Sequence, residues 1–271
     1  MTQDLIHKTA IIHPHASIAQ DVTIGPYCVV GANVVLEAGV KLHSHVVIEG
    51  KTVLGEKTEV FPFASIGHRT QALNFSGESS TVKIGAHCVL REYVTIQPGS
   101  EGDTDNTATT LGDHCLLMAS AHVAHHCVLG NHVIMANNAT LAGHVHVGDY
   151  VIIGGLSAVH QFVRIGRHAI IGGMSGVEKD VIPYGSIKGD RAFLAGLNII
   201  GLKRRGVDRA DIDQLRAAYR SLFATDGAEG TFADRLTQTR DQYAQYEHIA
   251  EVLDFIVSDT TRPLCMPRAN G

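Results

Sequence analysis

The chain has 271 residues, of which 45% are hydrophobic and only 6% aromatic, so its core must be built from aliphatic side chains rather than large rings. A formal charge of −5 argues against general affinity for nucleic acid. No run approaches the ~20 apolar residues of a membrane helix and no charged, apolar leader opens the chain, so no membrane span is expected and the location expected is cytoplasmic.

From Ile12 an aliphatic residue recurs at every sixth position, through Ile18, Ile24, Val30, Leu36, Leu42, Ile48, Leu54 and Val60 to Ile66. The register returns at Ile84, Leu90 and Ile96, and again from Leu111 through Leu141 to Val177. A period of six suits neither a helix nor an alternating strand. It suits a β-solenoid in which each hexad is one short strand and one turn, three hexads closing a triangular coil of 18 residues. Four positions after each aliphatic residue stands Ala, Val, Cys, Thr or Ser, small enough for a second inward site at a corner. Glycine follows the aliphatic residue at Gly25, Gly55, Gly85, Gly112, Gly130 and elsewhere, where a turn needs positive φ or a close backbone approach. The solenoid is expected over residues 1–190, its coils stacked about 4.8 Å apart.

Two polar breaks, near 68–81 and 98–110, read as loops leaving the wall, either as decoration or as one wall of a site. Past Val177 the hexads stop, and from about Arg191 the pattern becomes helical, so a C-terminal α-helical domain is expected over 191–271. Asp208 or Asp211 is placed to cap a helix carrying Ile212, Leu215, Tyr219, Leu222 and Phe223 at helical spacing. Further helices are expected over Phe232–Tyr243 and 246–257, with a turn at 227–230. Their apolar stripes would cover the open end of the solenoid, whose last coil would otherwise present a bare strand edge.

Cys28, Cys88, Cys115 and Cys127 fall on the small inward position and read as core thiols, while Cys265 lies in the tail; no disulfide is expected. Of the 17 histidines most read as surface turn residues. His122, His125, His126, His144 and His160 differ. His126 and His144 occupy the same position one coil apart, His125 lies beside them, and His160 falls two residues short of the next equivalent position. Histidines stacked at a corner point outward and can line a cleft with a neighbouring subunit. Such a cluster supports either a metal site or an imidazole general base, and spacing alone does not choose.

The run His122-Val123-Ala124-His125-His126-Cys127, then Ala136-Asn137-Asn138-Ala139-Thr140-Leu141-Ala142-Gly143-His144, then Ala158-Val159-His160-Gln161-Phe162 and Gly201-Leu202-Lys203-Arg204-Arg205-Gly206 resembles the UDP-N-acetylglucosamine acyltransferases that begin lipid A synthesis. The resemblance implies a left-handed parallel β-helix of hexapeptide repeats and a homotrimer with sites between subunits. It also implies transfer of a 3-hydroxyacyl chain from acyl carrier protein to the 3-position of a UDP-sugar, without metal or cofactor. On this reading His125 is the general base and the Gly143 N–H the oxyanion donor. Gln71, His122, His144, His160 and Gln161 would position substrate. Asn198, Arg204 and Arg205 would hold the nucleotide and its phosphates. Gly173 and Met174 would measure acyl length, and the bare Gly173 suggests a donor of twelve to fourteen carbons or more.

The chain departs from the family pattern in four places. Gln71-Ala72-Leu73-Asn74 replaces a Gln-Asp-Leu-Lys run, His126 stands where aspartate often follows the base, and Ile200 replaces a glutamate. Loss of carboxylates beside the acceptor makes a 3-amino sugar, and hence an amide product, an alternative to the ester. A coenzyme-A-dependent N-acyltransferase on the same fold is a second alternative, followed by a zinc hydrase and a non-catalytic scaffold. An acidic carrier protein calls for a basic patch, for which Arg164, Arg167, Arg204, Arg205, Arg216 and Arg220 are candidates.

Overall fold

The computed structural model describes residues 5–73, 80–99, 108–224, 230–258 and 260–268. Each hexad forms a short strand, and successive strands fall in turn on three faces of a parallel β-helix. The first face runs from Ile11–Ile12 to Gly176–Val177 in nine strands. The second runs from Ser17–Ile18 to Arg164–Ile165 in eight, and the third, from Thr23–Ile24 to Phe193–Leu197, has ten. The register is in phase, so like residues stack: Ile12 on Val30, Val30 on Ile48, Leu141 on Val159. From Ile24 to Val177 the sixth-position residues are buried, whereas Ile12 and Ile18 are only half-buried against the core. Each such Leu or Ile contributes about 1.5–3 kcal/mol, and the small residue four places on fills the corner beside it.

The glycine expectation divides in two. Gly85 and Gly112 stack, and a Cβ on Gly85 would lie 2.6 Å from the Gly112 carbonyl carbon, so close approach demands glycine there without positive φ. Left-handed backbone falls at that position on Gly67 (φ 80°), but mostly two residues later, on Tyr27 (φ 58°), His126 (58°), His144 (60°), His168 (58°) and Met174 (57°) among others. What supports that conformation at these later positions is the preceding coil: the N–H points along the axis to a carbonyl there, as in His144 N to His125 O at 3.0 Å and His168 N to Asp149 O at 2.8 Å, or to a threonine hydroxyl, as in Tyr27 N to Thr9 Oγ1 at 3.0 Å. Histidine tolerates this region better than most side chains, which accounts for many of the chain's histidines. Their rings stack one coil apart, as in the ladder His87, His114, His132, Tyr150, His168 and Tyr184 between the second and third faces.

Both breaks in the repeat leave the corner between the first and second faces, one after Ser65–Ile66 and the other after Thr95–Ile96. Residues 74–79 and 100–107, Asn74 included, lie outside the described residues.

After the solenoid the chain does not go directly into helix. Gly185–Lys188 extends the third face and Phe193–Leu197 pairs with it antiparallel, within the stretch read as helical. The α-helices follow as α1 (Ile199–Arg204), α2 (Arg209–Leu222), α3 (Phe232–Tyr243) and α4 (Glu247–Val257). Asp208 sits at the N-cap of α2 but makes no side-chain cap, whereas Thr231 and Asp234 close a capping box on α3. The expected turn at 227–230 is described only at Gly230. Leu215 and Leu222 of α2 and Ile249 and Leu253 of α4 close over Ile182 and Leu197, covering the end of the solenoid as the apolar stripes require. The tail returns to the last coil through Cys265 N to Asp180 O (2.8 Å). All five cysteines are free and buried, Cys265 among them; burial pushes the Cys127 thiol up to about 12, so it is no nucleophile near neutral pH.

Candidate active site

The first–second corner gathers the chemistry. There His125 and His126 end one coil's strand, His122–Val123, and Gly143 and His144 end the next, Thr140–Leu141. The His125 ring lies directly over Gly143: a Cβ on that glycine would come 2.6 Å from His125 Nε2. The Gly143 N–H donates to no group among the described residues, so it remains available as an oxyanion donor. His125 Nδ1 lies 2.8 Å from His126 Nδ1, and the two rings are perpendicular. His126 stacks on His144 at 4.4 Å, and His144 on Phe162 at 4.7 Å.

One ring nitrogen from each of His125, His126 and His144 lies within 4.8 Å of the other two. The His126 and His144 rings are only 9° from parallel and face to face, so their in-plane lone pairs run in separate planes and do not converge on one ion. The cluster as built is suited to moving protons rather than to caging zinc.

His122 stands on the first face beside this corner, its Nδ1 hydrogen-bonded to Thr95 Oγ1 at 2.7 Å, and burial holds its pKa below the ordinary value. Arg262 donates from Nη2 to His160 Nδ1 at 2.7 Å and from Nε to the Gln161 carbonyl at 2.9 Å. The His160 proton therefore lies on Nε2, where the ring can donate to a ligand. Arg262, in the tail about a hundred residues downstream, carries no local signal that places it here. Thr260 and Thr261 come with it and line a cavity of about 480 Å³ with His144, His146, Phe162 and Arg164. His146, which follows no convergent pattern in the sequence, thus adjoins the cluster, its pKa lowered by burial and by Arg164. A wider groove of about 840 Å³ continues from His146 and Arg164 between the second face and α4.

Other expected site residues lie elsewhere. Asn198 packs at the second–third corner, its Nδ2 donating to the His168 carbonyl at 2.8 Å and its Oδ1 accepting from Gly201 N at 3.0 Å as the cap of α1. Arg205 lies over Tyr150 on the same corner, 4.9 Å from the ring centre, while Arg204 and Ile200 face solvent. Gly173 and Met174 occupy the third–first corner; a Cβ on Gly173 would sit 3.2 Å from the Gly155 carbonyl oxygen, and Met174 is exposed. Gln71 is exposed, its backbone N–H held by the buried Gln97 at 3.2 Å. One chain thus distributes the expected base, nucleotide and acyl residues over three corners.

A histidine seated on a glycine at the turn of a hexapeptide solenoid marks a transferase class, and residues 5–38 and 108–143 match the family described as bacterial transferase hexapeptide (six repeats). Residues 180–265 match the family described as UDP-N-acetylglucosamine O-acyltransferase, domain 2. The chain is 59% identical over 209 residues to the acyl-[acyl-carrier-protein]--UDP-N-acetylglucosamine O-acyltransferase of Methylobacterium radiotolerans, covering 77% of this chain and 75% of that one. It is 50% identical over 262 residues to the protein of the same name from Caulobacter vibrioides, covering 97% and 98%. The solved structure of LpxA from Acinetobacter baumannii matches with a TM-score of 0.91 at 41% identity, over 97% of this chain and 100% of that one. The chain belongs to the UDP-N-acetylglucosamine O-acyltransferase family, and its solenoid is the left-handed parallel β-helix of hexapeptide repeats.

Proposed function

We propose that this chain transfers a 3-hydroxyacyl group from acyl carrier protein to the 3-hydroxyl of UDP-N-acetylglucosamine, the first step of lipid A biosynthesis. The observation that carries the reading is the His125 imidazole pressed over Gly143, which sets a base and a backbone N–H against one small volume. His125 Nε2 takes the proton of the sugar hydroxyl as its oxygen attacks the thioester carbonyl carbon. The Gly143 N–H receives the oxyanion, and collapse of the tetrahedral intermediate expels the carrier thiolate, which regains the proton from the imidazolium. His122, His144, His160 and Gln161 position the sugar and the acyl carbonyl.

The division among corners supports an assembly in which the site is completed by a second copy: Asn198, Arg204 and Arg205 of one subunit approach His125 of the next, and a homotrimer closes that arrangement around one axis. With Gly173 bare, the groove accepts long donors of twelve to fourteen carbons or more. A soluble carrier-protein donor places the reaction in the cytoplasm; among the described residues no helix is long and apolar enough to cross a membrane. For docking the acidic carrier, Arg164, Arg167 and Arg216 are engaged with Asp180, Glu251 and Asp213, which leaves the exposed Arg220 of α2 as the stronger candidate. A second reading, acylation of the 3-amino sugar, draws support from Ala72, His126 and Ile200 standing where carboxylates often stand in the family.

The test is a mass-resolved assay offering 3-hydroxyacyl carrier protein with UDP-N-acetylglucosamine and with its 3-amino analogue. Product from the hydroxyl sugar that disappears with His125→Ala supports the ester reading. Product only from the amino sugar turns the assignment to the amide, and activity surviving His125→Ala removes His125 as the base.

A further inference from the structure

We propose that His126 is the positioning residue of the base, holding His125 in the one tautomer that can accept a proton from substrate. The inference rests on His125 being that base.

A contact of 2.8 Å between two Nδ1 atoms requires a proton on one and a lone pair on the other. For His125 to accept at Nε2, its Nδ1 must carry hydrogen and donate; His126 Nδ1 is then the acceptor, with the His126 proton on Nε2. His126 is fixed for this task. It is 5% exposed, its backbone N–H donates to Thr109 Oγ1 at 2.8 Å, and its ring is stacked on His144. Among the described residues, the titratable groups in ring contact with it include His125 on the same turn and His144 on the next coil. A proton gained by His126 reverses the bond: its Nδ1 becomes the donor, His125 must turn a lone pair toward it, and the His125 proton moves to Nε2, where the ring is no longer a base. His125 therefore works only while His126 Nδ1 is the acceptor of that bond.

Four variants test this with kcat, KM for each substrate, and the pH profile. His126→Ala, lacking an acceptor, should lower kcat by about 10²-fold with KM unchanged. His126→Asn offers a carbonyl acceptor and tolerates the left-handed backbone at φ 58°, so it should restore kcat to within a few-fold. His126→Asp keeps the acceptor but adds a charge that favours the His125 imidazolium, so its acid limb should move up by about one pH unit. The proposal fails if His126→Ala keeps its kcat, or if Asn and Asp variants fall equally with no displacement of the limb, the signature of packing alone. Should the alanine variant not fold, the Asn and Asp comparison decides by itself. His125→Ala separates the two readings: full activity there removes the base, whereas loss there with wild-type behaviour throughout the His126 series removes only the positioning role.

Discussion

At the scale of single residues, Gly143 decides more than its size suggests. Its φ lies outside the left-handed region, so alanine is conformationally acceptable; what a methyl group meets is the ring of His125, 2.4 Å away at Cε1. A side chain can swing aside where a backbone cannot. Gly143→Ala should therefore fold with nearly unchanged Tm yet lose about 10²-fold or more in kcat, because a base displaced by about 1 Å no longer reaches its proton. Parallel melting and turnover measurements check this, and a loss of Tm matching the loss of activity would contradict it. Much of this site is readable from the chain. His125, His126 and His144 are brought together by the 18-residue coil, so counting residues places them in space. His146 and Arg262 escape such counting, the first because its strand shows only that it faces outward, the second because the path of the tail is set by packing against the last coil.

At the scale of elements, the stacked rings between the second and third faces carry a pH dependence. Burial, then the charges of Arg205 and Arg167, push the His168 imidazole from 6.5 down to about 4, and its Nδ1 has no hydrogen-bond partner among the described residues. Between pH 6.5 and 4 the unfolded chain binds a proton there that the folded chain refuses, so stability rises with pH across that window and is lost on descending it. His168→Tyr, which copies Tyr150 and Tyr184 on the same ladder, should flatten that part of the curve in denaturant titrations taken from pH 7 to pH 4. A second joint lies where the tail meets the solenoid. Asp180, 1% exposed, accepts from Arg164 Nε at 2.8 Å and from Thr260 Oγ1 at 2.6 Å, so Asp180→Ala should cost about 3–5 kcal/mol, read as a lowered midpoint of chemical unfolding. A midpoint within error of the parent would mean that the tail is held by other contacts. Elements were legible where burial is periodic: the strands follow from one inward residue in six, and the helices from their apolar stripes. The antiparallel pair at 185–197 was not, because a strand that ends a stack has one neighbour and no repeat to announce it.

At the scale of the molecule, His125 and the Arg204–Arg205 pair sit on different corners of one chain, and the trimer proposed above would join them across its interfaces. Two inactive proteins, His125→Ala and the double variant Arg204→Ala with Arg205→Ala, should therefore regain activity when unfolded together and refolded as a mixture. Random assembly leaves both halves intact at about a quarter of the shared sites, and a quarter of parental turnover is expected. A mixture as inactive as its components would place each site within a single subunit.

The in-phase stacking of coils bears on how such a protein could change the substrate it prefers. A groove running along the axis is divided by turns spaced about 4.8 Å apart, and none of them can be made thinner, because glycine already meets glycine backbone at Gly85 and Gly112. Gain or loss of a whole coil would alter the reach of the groove in one coarse step and move every corner above it together. Under the acyl-groove reading proposed above, finer adjustment has to come from what projects at a turn, and the pair Gly155 and Gly173, nearly touching with no side chains between them, leaves one such turn bare. Lineages of this solenoid are thus expected to differ in acyl length through single residues at such turns while the number of coils stays constant.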